Sequence, residues 1–169
     1  NTIDAIKIVT LSSNSFVYNK KAIRPKVTIK DTKGNVISPK YYTITYANNK
    51  KVGTATVTVK FKGLYAGTVV KKFSINPRRV GTAKLIRSNK SITFTWGKVK
   101  VCDGYKIQYS TSKTFKNAKA ITVKGRNNYQ YTFNNLKSGK KYYIRIRAYK
   151  NVNGKTYYGS WTKKSVVCK

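Results

Sequence analysis

The sequence predicts an all-β protein made of two tandem antiparallel β-sandwiches. Apolar residues recur at every second position, and helical periodicity is almost absent. Those apolar residues are mostly β-branched or aromatic, with Thr and Tyr abundant among their neighbours. Turn-forming clusters separate the runs at about ten-residue spacing, the rhythm of sandwich strands. With hydrophobic residues at 40% and only 3 Pro, the chain is expected to be globular rather than a disordered basic tail. No apolar run is long enough to span a bilayer.

The elements follow in order. Val27 and Ile29 alternate with Lys26, Thr28 and Lys30; Tyr42, Ile44 and Tyr46 alternate with Thr43 and Thr45. Ala55, Val57, Val59 and Phe61 form a third run, and Val69, Phe73 and Ile75 a fourth, with Lys71 in its register at an expected sheet margin. Thr32-Lys33-Gly34-Asn35, Asn48-Asn49-Lys50-Lys51 and Lys62-Gly63-Leu64 supply the turns. Asn76-Pro77-Arg78-Arg79-Val80-Gly81 then interrupts the pattern and reads as a linker, because Pro cannot extend a central strand. It separates a domain at 1–77 from one at 80–169, and its shortness predicts a semi-rigid pair. In the second domain the core set is Leu85; Ile92, Phe94, Trp96; Tyr105, Ile107, Tyr109; Ile121, Val123; Tyr131, Phe133; Tyr142, Ile144, Ile146, Ala148; and Val166. Asn153-Gly154 marks a two-residue hairpin, since both residues tolerate positive φ.

Charge narrows the function. The chain has 37 Lys and Arg against 3 acids and no His, a net charge of +34. The acids are Asp4, Asp31 and Asp103, far apart in sequence, and there is no Glu. General acid–base work needs a carboxylate or imidazole beside a second group, and a Ser or Cys nucleophile needs a base. Zinc wants clustered Cys and His, and calcium wants several carboxylates. An enzyme, a metal and a cofactor are therefore not expected. The positive side of the balance suits a polyanion. Lys outnumbers Arg several-fold, which favours diffuse, salt-sensitive attraction over bidentate recognition. Nucleic acid is a weaker expectation, because no helix-turn-helix, zinc-finger or RNA-binding signature is present. The chain opens on Asn1 and contains no Met, as expected of a piece cut from a longer polypeptide.

From Ser91 to Phe115 the sequence reads SITFTWGKVKVCDGYKIQYSTSKTF; LKSGKKYYIRIRAY follows at 136–149 and YYGSWTK at 157–163. These segments resemble a fibronectin type III domain of the Lys- and Tyr-rich kind found in surface proteins of Gram-positive bacteria. Trp96 matches the core Trp that ends the family's second strand. Leu136, Gly139 and Tyr142 match its Leu-x-Pro-Gly-x-x-Tyr corner, with Ser138 where Pro is usual. The first half resembles a bacterial Ig-like repeat, on FVYNKKAIRPKVTIKD (16–31), YYTITYANNKKVGTATVTVKFKGLYAGTV (41–69) and KKFSINP (71–77). The resemblance implies an extracellular setting, secreted or associated with the cell wall. It also implies a non-catalytic spacer or adhesion module beside other domains of a parent chain; the alternative is a dedicated binding module for a glycan, cell-wall polymer or host protein, and a monomer is expected in either case. Partners of such a module would be anionic polymers (teichoic acid, sulfated or sialylated glycans) or a host surface protein.

One face carries the candidate site. If Tyr142, Ile144, Ile146 and Ala148 face the core, then Tyr143, Arg145, Arg147 and Tyr149 line the outer face, with Lys106 and Gln108 beside them. This face reads either as a ligand platform of rings and guanidinium groups or as a structural ladder. YGSWT at 158–162 looks like a degenerate Trp-Ser-x-Trp-Ser element, which brings Tyr158 and Trp161 into the ladder. The tip from Asn151 to Thr156, with the segment Tyr131 to Asn135, is a second contact region to consider, although an ordinary turn accounts for it.

Cys102 and Cys168 are expected to stay unbridged. In the resembled fold they fall at opposite poles, separated by a strand of roughly 20 Å. A bridge tolerates only ~7 Å between Cα atoms.

Overall fold

The computed structural model describes residues 8–169, so Asp4 lies outside the described residues. The chain divides into two compact units, Asn1–Asn76 and Pro77–Lys169. Apart from a single 3-10 turn at Pro39–Tyr41, the described regular structure is strand.

In the first unit the strands are β1 (Ile8–Leu11), β2 (Ser15–Val17), β3 (Val27–Lys30), β4 (Tyr42–Ala47), β5 (Gly53–Phe61) and β6 (Thr68–Asn76). One sheet pairs β1 with β3, and the other runs β2-β6-β5-β4. In β5 the alternation is nearly complete: Ala55, Val57 and Val59 are fully buried, and the intervening Thr54, Thr56 and Thr58 are half-buried. Lys71 is exposed directly opposite Val57. The expectation of purely antiparallel sheets needs one correction, because β2 lies parallel to β6. Ser13 breaks the first strand locally: its hydroxyl donates to Ser15 O and accepts from Ser15 N–H. The chain therefore leaves the β1–β3 pair and joins the other sheet without reversing, which places β2 alongside β6.

The second unit contains β7 (Ala83–Ser88), β8 (Ser91–Trp96), β9 (Gly104–Ser110), β10 (Lys119–Lys124), β11 (Gln130–Phe133), β12 (Lys141–Val152), β13 (Lys155–Tyr158) and β14 (Thr162–Val167). One sheet runs β11-β8-β7; the other runs β10-β9-β12, with β13 and β14 both on the far side of β12. The apolar faces of the two sheets enclose one core around Phe94, Tyr105, Ile107, Ile144 and Ile146. Trp96 closes one end of it, its ring edge-on to Tyr105 at 5.3 Å. At the other end Leu136 is buried, Gly139 turns at φ +73°, and Tyr142 Oη accepts the Lys137 N–H at 3.0 Å. This is the corner that fastens one sheet to the other, and Ser in place of Pro at 138 leaves its hydrogen bond intact. Asn153 and Gly154 take φ +49° and +76°, a two-residue turn whose twist matches the β12–β13 hairpin.

Residues 77–81 are held against the second unit. Pro77 and Val80 are fully buried. Arg79 Nε donates to Thr162 Oγ1 at 3.1 Å, and that hydroxyl donates in turn to Val80 O. The backbone passes so close to Gly159 that a Cβ there would stand 2.8 Å from Arg78 O. Pro77 thus begins a segment that packs on the break in the last strand.

Tyr105 is the buried polar anchor of this core. Its hydroxyl accepts the Val99 N–H at 2.9 Å and donates to Arg126 O at 3.0 Å. Burial pushes the phenol up to about 12, outweighing the hydrogen bond from Val99. Because the folded value lies above the unfolded one, the stability it contributes is complete below about pH 10 and is lost as pH rises toward 12. Denaturant unfolding should therefore show a steeper loss of stability between these pH values for the wild type than for Tyr105→Phe. Lysine neutralisation is common to both proteins, so equal slopes would contradict this assignment.

Candidate functional site

The last strand is split at Gly159–Trp161, and the split creates the outer-face site. β12 pairs with β13 as far as Tyr149↔Tyr158 and with β14 from Ile146↔Thr162. Between them Gly159 N–H donates to Ala148 O, so the looped-out residues stay tied to β12. Trp161 is thereby carried over the outer face, where alternation has already placed Arg145 and Arg147.

The resulting stack is continuous. The Arg145 guanidinium lies 4.2 Å from the Phe115 ring centre and 4.4 Å from that of Trp161. Arg147 lies 4.3 Å from Trp161 and 3.7 Å from Tyr158. The order along the face is thus Phe115, Arg145, Trp161, Arg147, Tyr158. Gln108, directly opposite Arg145, accepts from its Nε at 2.8 Å and its Nη2 at 2.6 Å. Desolvation between the rings pulls Arg147 below its ordinary value; Tyr158 works against that shift and neighbouring Arg145 adds to it. Arg147 Nε is buried without a hydrogen-bond partner.

Five of the eight residues expected on this face are therefore brought together: Arg145, Arg147, Gln108, Tyr158 and Trp161. The other three are placed differently. Lys106 turns away to donate to Thr122 Oγ1 at 2.7 Å on β10. That orientation keeps its ammonium from Arg147, its partner in register. Tyr149 is on the expected side but is buried, not an open ring. Gly104 stands opposite it without a side chain, and the ring fills that gap, 3.0 Å from where a Cβ would be. Burial, then the nearby Asp103 charge, raise its phenol accordingly. Tyr143 lies beyond the ladder with the Lys141 ammonium 5.6 Å over its ring. Phe115 was missed; its only signal is a lone large aromatic in the polar run Thr114 to Lys119. It adopts φ +61°, a costly conformation for a bulky residue, and its burial under Arg145 offsets that cost.

The second contact region does not form one surface. β11 runs from Gln130 beside Thr95 to Phe133 beside Ile92, and Leu136 N–H then reaches Lys90 O. Asn134 and Asn135 therefore lie at the pole opposite the Asn153-Gly154 tip, whose base is held by Asp103 through Asn151 N–H at 2.8 Å and Lys150 Nζ at 3.0 Å. Cys102 and Cys168 are both buried free thiols. The first sits beside Val99 O, and the second is tied through its backbone to Gly139 and Lys140 at the far end of β12. Among the described residues no group of three or more Cys, Asp, Glu or His side chains is placed to hold a metal.

Fold and site together define an all-β sandwich module whose outer sheet carries a stacked arginine–aromatic ladder. The fibronectin type III domain family matches residues 77–164, just over half of the chain, and the chain belongs to that family. Among solved structures, a segment of two fibronectin type III domains from chicken tenascin matches with a TM-score of 0.60 and 14% identity. That match covers 97% of this chain and 99% of the other. A computationally redesigned β-sandwich protein matches with a TM-score of 0.47 and 15% identity, over 54% of this chain and 89% of the other. At such identities the tenascin likeness speaks to fold alone. No curated protein sequence matches the chain.

The ladder makes a definite stability prediction. Arg147→Ala removes contacts to two rings and should cost about 1–3 kcal/mol, which lowers the melting temperature of a domain this size by roughly 5–15 °C. Arg147→Lys should restore only part of it, because an ammonium lacks the flat face that stacks. An unchanged melting temperature in Arg147→Ala would remove the ladder's structural role.

Proposed function

We propose that the chain is a non-catalytic spacer and adhesion module of a secreted or surface-anchored bacterial protein, held near anionic polymers by its charge. The first unit is then an Ig-like repeat preceding the fibronectin type III domain. The segments at 16–31, 41–69 and 71–77 that carry the Ig-like resemblance support it. Family membership supports the non-catalytic reading, since fibronectin type III domains generally serve as scaffold or binding units in extracellular proteins. No helix among the described residues is long and apolar enough to cross a membrane.

The observation that carries the adhesive part is the unpaired charge. Among the described residues the only ion pair is Lys150 with Asp103. The other described cations have no carboxylate partner, so the surface field is not cancelled locally. Against the stricter reading of the ladder face as a ligand platform stands its geometry: the rings of Phe115, Trp161 and Tyr158 already stack on guanidinium groups.

Chromatography on immobilised heparin and on wall teichoic acid checks the proposal. Retention is expected at about 0.15 M salt, declining steeply as salt rises because many weak contacts each release a counterion. Passage through both columns unretained at that salt would leave a spacer without adhesion.

A further inference from the structure

At the pole formed by residues 110–119 and 134–143 the second unit carries an open cleft of about 990 Å³, separate from the ladder and lined in part by the core residues Leu136 and Tyr142. Five lysines line it: Lys116, Lys119, Lys137, Lys140 and Lys141, all exposed. No acidic residue does, and none of these five ammonium groups has a carboxylate partner among the described residues. The described acids lie elsewhere: Asp31 in the first unit and Asp103 at the opposite pole. Between the lysines the lining is hydroxyl and amide, from Thr111, Ser112, Asn117, Asn134 and Asn135.

The walls are held in place by the fold. On one side Ser110 Oγ donates to Lys116 O at 2.9 Å and accepts the Ser112 N–H at 3.0 Å, closing the loop on itself. Phe115, at the tip of this wall, is pinned beneath Arg145, so the ladder also fixes the position of Lys116. On the other side Asn135 at φ +57° and Gly139 at φ +73° shape the turn that carries Lys137 and Lys140, and Tyr142 Oη holds the Lys137 backbone.

We propose that this cleft is a binding site for a short anionic sugar chain, one bearing sulfate or phosphate esters. The lysines meet the esters, and the hydroxyl and amide groups meet the polyol between them. Single-stranded nucleic acid fits less well, because it needs free aromatic faces for its bases. The three rings here are engaged: Tyr109 packs on Phe133 at 4.7 Å, Tyr142 is buried with its hydroxyl on the Lys137 N–H, and Tyr143 lies under Lys141. The proposal rests on the adhesive reading above and localises the part of the attraction that should outlast screening.

Calorimetric titration of the full chain at about 0.15 M and 0.3 M salt, with a sulfated hexasaccharide and a phosphorylated hexasaccharide as separate ligands, distinguishes the two ester chemistries. The wild type should bind at least one at both salts. The triple variant Lys116→Ala, Lys137→Ala, Lys140→Ala should lose about tenfold or more in affinity, whereas a charge-matched control, Lys84→Ala, Lys100→Ala, Lys124→Ala, should lose less than about threefold. Melting curves should show both variants folded, as expected for exposed side chains. Equal losses in the two variants would overturn the cleft and leave the diffuse attraction standing. No binding by the wild type, together with no retention on the columns, would overturn both. Tighter binding of a single-stranded oligonucleotide than of either sugar chain, abolished by the cleft variant alone, would overturn the ligand class.

Discussion

The constraint behind this structure is a surplus of cations with almost nothing anionic to meet them. A net charge of +34 cannot be accommodated by ion pairs when the whole chain holds 3 acids. The fold meets its guanidinium and ammonium groups with other partners. Arg79 uses a threonine hydroxyl, Arg126 the Lys100 carbonyl, Arg145 the Gln108 amide, and Lys106 the Thr122 hydroxyl. Arg145 and Arg147 also lie against ring faces, where the π quadrupole substitutes for a carboxylate at a smaller desolvation cost. The single ion pair among the described residues, Lys150 with Asp103, stands where a carboxylate also organises backbone, since Asp103 holds Asn151 N–H at the base of the terminal hairpin. Partial burial raises that carboxyl, but the Asn151 N–H and the Lys150 charge outweigh it and keep it below its ordinary value.

Several local features follow from the ladder. Trp161 reaches the outer face only because the last strand breaks at Gly159, and Gly159 is required because the backbone of residues 77–78 passes over it. The same stack ends at Phe115, whose unfavourable φ fixes the loop that walls the lysine cleft. One run of stacked groups thus connects the start of the domain, its last strand and the opposite pole. The connection is physical contact between neighbours, and it ties the proposed binding surface to the stability of the sandwich.

Much of the fold was legible in the sequence because strand burial has a period of two, which residue type reveals directly. The alternating sets named from both halves all lie in or against the cores, including Ile107 and Ile146, which are register partners. Tyr142 and Gly139 were readable only through the resemblance to the family's corner motif, and the structure gives them the hydroxyl contact and positive φ of such a corner. Alternation tells which side of a strand a residue takes, but not what covers it. Tyr149 was therefore placed on the correct side and wrongly left open, because its burial depends on Gly104 across the sheet. Pro77 to Gly81 has the composition of a linker and is held instead by contacts to residues some eighty positions away. The lysine cleft had no sequence signal either. Lys116 and Lys137 approach one another only through the pairing of β9 with β12.

The protein folds against its own charge, with Arg79, Arg126, Arg145, Arg147 and Lys106 held by neutral groups. Melting temperature as a function of sodium chloride, from about 0.01 to 0.3 M, tests this most directly, since the Debye length shrinks from roughly 30 Å to below 8 Å over that range. Screening of self-repulsion should raise the melting temperature steadily. A fall with added salt would mean that attractive pairs dominate the folded state, which would contradict the account.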